Sequence, residues 1–498
     1  MNNLVFYCKF NTQMTPINFK LINLLNSFSN SELKEFKKFI SSPLNSSGRN
    51  YLPLLDHLIK HKTTGLDNIY ARDVYEKLYP GKKFSTQTLK NRFSELYKLG
   101  EEFLIFLGLK NNKTEKEKIL LKMLIERKLF SPFGRKYSSL VNQLEREKYD
   151  NTVYHDLAII KNLNIDYLKD KKDMKDIHDQ YFGRTQIVIC INLIELFEFG
   201  LEFSLMEYDN KTFESNHVVE FLKNLEMGEI INSFKRSDNL IFQITAMNYL
   251  LYKAYENHEN EEEYFQAHKI FSQISEKLKD DYKISFMNFM TYYCMRKQNL
   301  GSKNFQQELF NLFNEKLSQG LFADLKTPIY VLNNFRDYVY IGLALRKFRW
   351  VEDFINKYGK ELPSEFREDE INLSYAKLNI AYRHYEKSLS NLKEIRTVNY
   401  LLYLDSSVFK LCCYYELGKF EEAFLEIDKI RHYLRNHKEI PDVHKEPGLH
   451  FVRIYQKLLK ANSMPEKSEA GYLEKEVMKL MSVSRKDWLV EKIAELNY

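Results

Sequence analysis

Phe348-Arg349-Trp350-Val351-Glu352-Asp353-Phe354, Arg383-His384-Tyr385-Glu386-Lys387-Ser388-Leu389 and Gly418-Lys419-Phe420-Glu421-Glu422-Ala423-Phe424 line up within the stretch from about Phe335 to Arg435. Trp350, Tyr385 and Phe420 recur 35 residues apart, and so do Phe354, Leu389 and Phe424. A fixed period in the thirties marks a stacked helical repeat, in which each helical pair has an apolar side it cannot cover alone. The stretch therefore predicts an all-α architecture, an α-solenoid of stacked antiparallel hairpins. It specifies no reaction.

The composition agrees. With 498 residues the chain is longer than one hydrophobic core serves, so several domains or one long array are expected. Only 16 Gly and 10 Pro are present, too few for a strand-rich chain with many tight turns. The 34 Tyr and 36 Phe are expected to wedge between helices as core. Cys8, Cys190, Cys294, Cys412 and Cys413 form no CxxC pair and no disulfide framework, which suits a reducing compartment. The first residues are too short an apolar run for a signal peptide. No stretch approaches 18 uninterrupted apolar residues, so no membrane contact and a cytoplasmic location are expected. Residues 1–16 read as a flexible N-terminus, with Met14 a second candidate start.

Upstream of the repeats, residues 17–109 read as a basic helical module. Ser29-Asn30-Ser31-Glu32 has the form of a capping box, followed by the stripe Leu33, Phe36, Phe39 and Ile40. Thr63-Thr64-Gly65 ends a second helix, and Ile69, Val74 and Leu78 mark a third. Tyr79-Pro80-Gly81-Lys82-Lys83-Phe84-Ser85 breaks the chain, and Ser85 is a plausible N-cap for a long helix carrying Leu89, Phe93, Leu96, Leu99, Phe103 and Leu107. Helix, tight turn, then a longer helix with basic residues is the outline of a helix-turn-helix or winged-helix module. Residues 1–149 hold 26 Lys and Arg against 14 Asp and Glu, a net +12, while the remainder holds 48 against 54, a net −6. Lys82, Lys83, Lys90, Arg92 and Lys98 are accordingly the candidate nucleic-acid contacts.

Residues 110–238 read as a helical connecting region. It opens on a polar linker, Lys110 to Lys116, is broken at Ser131-Pro132-Phe133-Gly134, and contains two long helices over 151–208. Hairpins then follow one another through 239–498. Pro441 and Pro447 are expected to break the array, and a last helix with Trp488, Leu489 and Ile493 to cap it.

Tyr414, Gly418, Phe420 and Ala423 match the middle of a tetratricopeptide repeat: an aromatic in the first helix, a glycine turn, an aromatic opening the second helix, and a small residue three on. The preceding unit has Arg383 and Ser388 at the Gly418 and Ala423 positions. The unit before that has Phe348 and Asp353, and the closing proline is absent. About a fifth of the chain thus resembles degenerate tetratricopeptide repeats. The whole chain also looks like a bacterial family to which no activity is attached. The resemblance implies that the first helix of each pair lines a groove for a protein or peptide partner, with Tyr338, Arg346, Lys377, Val408, Tyr415 and Glu416 facing it.

The motifs of enzyme chemistry are missing from the text. There is no GxGxxG, and Pro80-Gly81-Lys82-Lys83 lacks the upstream glycine and the Ser/Thr of a phosphate loop. There is no HExxH. His432 and His437 have no thiol or acidic companions suited to zinc, and Cys412-Cys413 point about 100° apart on a helix. Glu421-Glu422 and Glu261-Glu262-Glu263 suit first-turn positions of helices rather than an acid/base couple. The sequence thus predicts a non-enzymatic protein-binding scaffold without cofactor or metal. The alternative is a DNA- or RNA-binding regulator whose basic head contacts nucleic acid and whose array senses a partner.

Overall fold

A computed structural model describes residues 19–45, 48–62, 71–172, 174–208, 217–257, 259, 261–322, 328–396, 399–463, 467–480 and 482–496. Residues 1–16 with Cys8 and Met14, and the Thr63-Thr64-Gly65 and Ile69 positions, lie outside them. The described residues form 24 α-helices and no β-strand. They divide into two compact units, residues 1–147 with 152–188 and residues 148–151 with 189–498.

The first unit contains α1 (Phe19–Ser27), α2 (Asn30–Ser41), α3 (Leu52–Lys62), α4 (Ala71–Leu78), α5 (Thr86–Asn111), α6 (Lys113–Glu126), α7 (Phe130–Leu144) and α8 (Asn151–Lys171) but for its first residue, and the start of α9 (Met174–Tyr208). Ser29 caps α2 as a full capping box: its Oγ accepts from the Glu32 N–H at 3.2 Å and its own N–H donates to Glu32 at 2.7 Å. Ser85 caps α5, accepting from the Thr88 N–H. Helices α1 to α5 close on one core, in which the Phe28, Phe36 and Phe103 rings meet with centroids 5.1–5.6 Å apart. A second core gathers Leu121, Phe133, Leu140, Leu157 and Ile160 from α6 to α8.

Two breaks expected here are absent. The polar text Lys110 to Lys116 is helix on both sides of Asn112, whose side chain caps α6 through the Glu115 N–H at 3.0 Å. Polar composition does not unwind a helix when an Asn can cap the next one. Ser131-Pro132 lies in the first turn of α7, where proline's missing N–H costs nothing. The break falls earlier, at Lys128, which takes φ 56°.

The second unit continues through α10 (His217–Lys223), α11 (Gly228–Lys235), α12 (Leu240–Glu256), α13 (Glu262–Ile274), α14 (Asp280–Asn299), α15 (Asn304–Ser318), α16 (Pro328–Ala344), α17 (Phe348–Tyr358), α18 (Arg367–Ala381), α19 (Tyr385–Lys393), α20 (Tyr400–Glu416), α21 (Phe420–Asn436), α22 (Asp442–Ser463), α23 (Lys467–Lys479) and α24 (Lys486–Glu495). Helices 12 to 21 pack in consecutive pairs. Polar bonds tie the first helices of neighbouring pairs together at one spacing. Asn248 bonds Tyr282 at 2.8 Å, the Tyr255 hydroxyl donates to the Phe289 carbonyl at 2.6 Å, and Arg336 grips Glu370 through two nitrogens; each link joins residues 34 apart.

The turn between the helices of a pair shows how the repeat is written. Arg346, Arg383 and Gly418 take φ of 54°, 60° and 65°. Each donates its N–H three residues back, and the next residue's N–H reaches five back at 2.8 Å. This double bond is the Schellman closure, which needs a left-handed residue and favours glycine. The second helix then starts on an aromatic, Phe348, Tyr385 or Phe420, and buries Val351, Ser388 or Ala423 three residues on. Arg383 and Ser388 therefore stand at the Gly418 and Ala423 positions as the sequence indicated. In the first unit of the series the register shifts by two: Arg346 and Val351 hold those positions, not Phe348 and Asp353, and the spacing there is 37 residues rather than 35. Phe348 and Trp350 are both aromatic, but Phe348 is the one that opens its helix as Tyr385 and Phe420 open theirs. The Lys128-Leu129-Phe130 turn before α7 closes in the same way.

Pro447 does not break the helix that contains it. It sits inside α22, and the Ser484 N–H donates to its carbonyl at 3.1 Å. Helix α24 packs on α22, and Trp488, Leu489 and Ile493 join a core with Leu411, Phe451 and Tyr455. Cys190, Cys294, Cys412 and Cys413 are buried free thiols. Among the described residues no helix is long and apolar enough to cross a membrane.

Candidate partner-binding cleft

On α14, Asp281, Ile284, Ser285, Asn288, Thr291, Tyr292 and Met295 follow at steps of three and four, so they share one side of the helix. Ile284 and Thr291 on that side are buried, and Asp281, Ser285 and Tyr292 are exposed. With Asn333, Asn334, Asp337 and Tyr338 of α16, and Phe313 and Lys316 of α15, that side lines a cleft of about 390 Å³. The cleft lies between the first helices of two successive pairs, with the second helix of the earlier pair contributing between them. The Phe313 and Tyr338 rings stack 3.9 Å apart and form its apolar wall.

Polar groups stand beside this wall. Lys316 is only 5% exposed, and its ammonium donates to Asn288 Oδ1 at 2.7 Å. Burial pulls its pKa down to about 8, against the attraction of Asp337. Asp337 has its pKa pushed up to about 6 by burial, opposed by Arg336 and Lys316. Arg336 itself is committed to Glu370 of α18. The arrangement offers hydrogen-bonding amides, two carboxylates, one ammonium and a flat apolar surface.

The six groove residues read from the sequence are placed differently from one another. Tyr338 reaches the cleft, although its ring is buried in the Phe313–Phe354 stack. Lys377 is half-buried on α18 with its ammonium 5.3 Å from the centre of the Phe409 ring, and burial lowers its pKa. Val408 is core. Arg346 is exposed but is the turn residue before α17. Tyr415 meets Trp488 edge-on at 5.4 Å, and Glu416 Oε1 accepts from Trp488 Nε1 and Lys492 Nζ, both at 2.9 Å, so both serve to seat α24. Asp337, Lys316 and Asn288 were not singled out. The only hint was the charged pair Arg336-Asp337 ahead of the apolar text Tyr338 to Leu345, and the period of α14 that puts Asn288 on the side of Asp281.

Of the five basic candidates in the head, Lys82, Lys83, Lys90 and Lys98 are exposed, and none forms an ion pair among the described residues. Arg92 is turned inward. Its Nε donates to the Tyr79 hydroxyl at 2.7 Å, and its guanidinium lies over the Tyr51 ring. On α5 it stands about 200° round from Lys90, so it does not join an exposed basic face. His432 bonds Asn436 and His437 bonds Glu439, each with its own neighbour.

Compared with known proteins, the chain matches no family model and no curated protein.

Proposed function

We propose that the second unit is a tetratricopeptide-like α-solenoid that works as a non-enzymatic scaffold, holding a protein or peptide segment against the first helices of its pairs. The observation that carries this reading is the α14–α16 cleft, where Asp281, Ser285 and Tyr292 of α14 are exposed beside the stacked Phe313 and Tyr338 rings. A concave site with an apolar wall and a few placed polar groups is where a protein takes a ligand. The 34-residue links between first helices support the stacked arrangement, since they join one pair to the next. The test is a peptide array of random dodecamers probed with the purified full chain. Retention of a related set of sequences with micromolar affinity in solution is expected. An array on which no sequence is held above background would defeat the reading.

A second reading, a nucleic-acid-binding head, is favoured by four exposed lysines on and before α5 that have no acidic partner among the described residues. Binding of the full chain to mixed double-stranded DNA should then fall steeply as salt rises, because phosphate contacts release counterions. Absence of binding at low salt removes this reading.

A further inference from the structure

We propose that the partner segment carries a basic side chain, lysine or arginine, which enters the α14–α16 cleft and pairs with Asp337. This rests on the peptide-binding reading above and adds the chemistry of the guest.

The sign of the guest's charge follows from which groups in the cleft have their bonds made. Lys316 has an acceptor in Asn288. Thr291 donates to the Met287 carbonyl within its own helix. Asp337 has no hydrogen bond or ion pair among the described residues, and neither has Asp281 at the cleft's other helix. Asp337 is also the more costly of the two, since it is partly withdrawn from water by α14 and α15. An anionic guest would add a third negative group to two unpaired carboxylates. An apolar guest would cover Asp337 and leave it without a partner, and a neutral donor would bond it but leave its charge uncompensated. A cationic head gives it a charge-assisted bond where solvent screening is reduced. The alkyl stem of a lysine or arginine suits the rest of the cleft, because Tyr292 is 41% exposed beside it and offers a flat surface.

The groups that face Asp337 also set the pH profile. Arg336 is on its own helix, Lys316 comes from α15 and Asp281 from α14; Glu370 of α18 holds Arg336. A bound cation lowers the pKa of Asp337 from its free value of about 6, so affinity is full above that pH and is lost as the pH falls through it. Lys316 repels the guest while protonated and its pKa of about 8 falls on binding, so a second, smaller gain in affinity builds up as the pH rises toward 8 and is complete above it.

The experiment is the dodecamer array probed with the full chain, followed by solution titration of the selected peptides. Lys or Arg should be enriched at one position, and replacing that residue by citrulline or norleucine should weaken binding roughly tenfold or more. Asp337→Asn should cause a loss of the same order, and the two changes together should cost little more than either alone. Circular dichroism checks that the variant is folded. Ser285→Lys, at an exposed cleft position, provides a second test that leaves Asp337 in place, and should weaken the same peptides several-fold. Selection of acidic or uncharged peptides, or basic peptides that bind the Asp337→Asn chain as tightly as the native one, would overturn the inference and leave the peptide-binding reading standing. An array that retains nothing overturns both.

Discussion

Arg383 holds φ at 60° on an exposed turn, where the equivalent residue of the next pair is Gly418. A side chain in the left-handed region costs about 1–2 kcal/mol, part of which glycine returns through its looser unfolded state. Arg383→Gly should therefore raise stability by several tenths to about 1 kcal/mol, read as a higher urea midpoint at unchanged slope. A lower midpoint would mean that the arginine side chain does more than tolerate the turn. Gly342 is the opposite case. A Cβ there would lie 2.5 Å from Val351 Cγ2 and 3.1 Å from the Trp350 ring, so α16 and α17 meet only because the position is empty. Gly342→Ala should cost about 1–3 kcal/mol by overpacking, although alanine is the better helix former. A gain in thermal stability would show that the pair can spread without penalty. The turn at Gly418 was legible because glycine advertises its backbone angle. Arg346 was not, because arginine carries no such signal and two aromatics, Phe348 and Trp350, competed to set the register.

Between elements, the tie most exposed to pH is His268. It lies on α13 and bonds two carboxylates of α15, Glu308 through Nδ1 at 3.1 Å and Glu315 through Nε2 at 3.0 Å. Burial alone would lower its pKa, but the two carboxylates outweigh burial and raise it to about 9. A group whose pKa is raised by folding contributes stability in full below its unfolded value, near 6.5, and loses it as the pH rises through the folded value. His268→Gln should therefore destabilise the second unit by on the order of 2 kcal/mol at pH 6, with the difference from native shrinking toward zero by pH 10. An equal deficit at both pH values would assign the effect to packing. The sequence held no sign of this tie, since the three residues are 40 and 47 apart and belong to no pattern. Helix boundaries, by contrast, were readable where a serine closes them after a clear break, as at Ser29 and Ser85. They were misread wherever polar text or proline was taken for a break, as at Lys110 to Lys116 and Pro447.

For the whole molecule, the all-helical class was legible because glycine scarcity, period and capping point the same way. The cleft was not: α14, α15 and α16 each supply part of it, and Asp337 and Lys316 acquire their character only from burial. The two units have their own cores, and this makes the molecule's cooperativity open to a simple optical test. Both tryptophans, Trp350 and Trp488, belong to the second unit, where their indole N–H groups bond Asn314 and Glu416 at 2.9 Å. The first unit contains only tyrosine and phenylalanine among its aromatics. Tryptophan emission therefore follows the second unit alone, while far-ultraviolet circular dichroism follows every helix. If the units unfold separately, a urea titration of the full chain should show part of the helical signal disappearing with no change in tryptophan emission, or tryptophan emission changing while that part persists. Coincident curves from the two probes, with one midpoint and one slope, would instead make the 498 residues a single cooperative body, and the cores of α1 to α8 would then depend on the second unit for their stability.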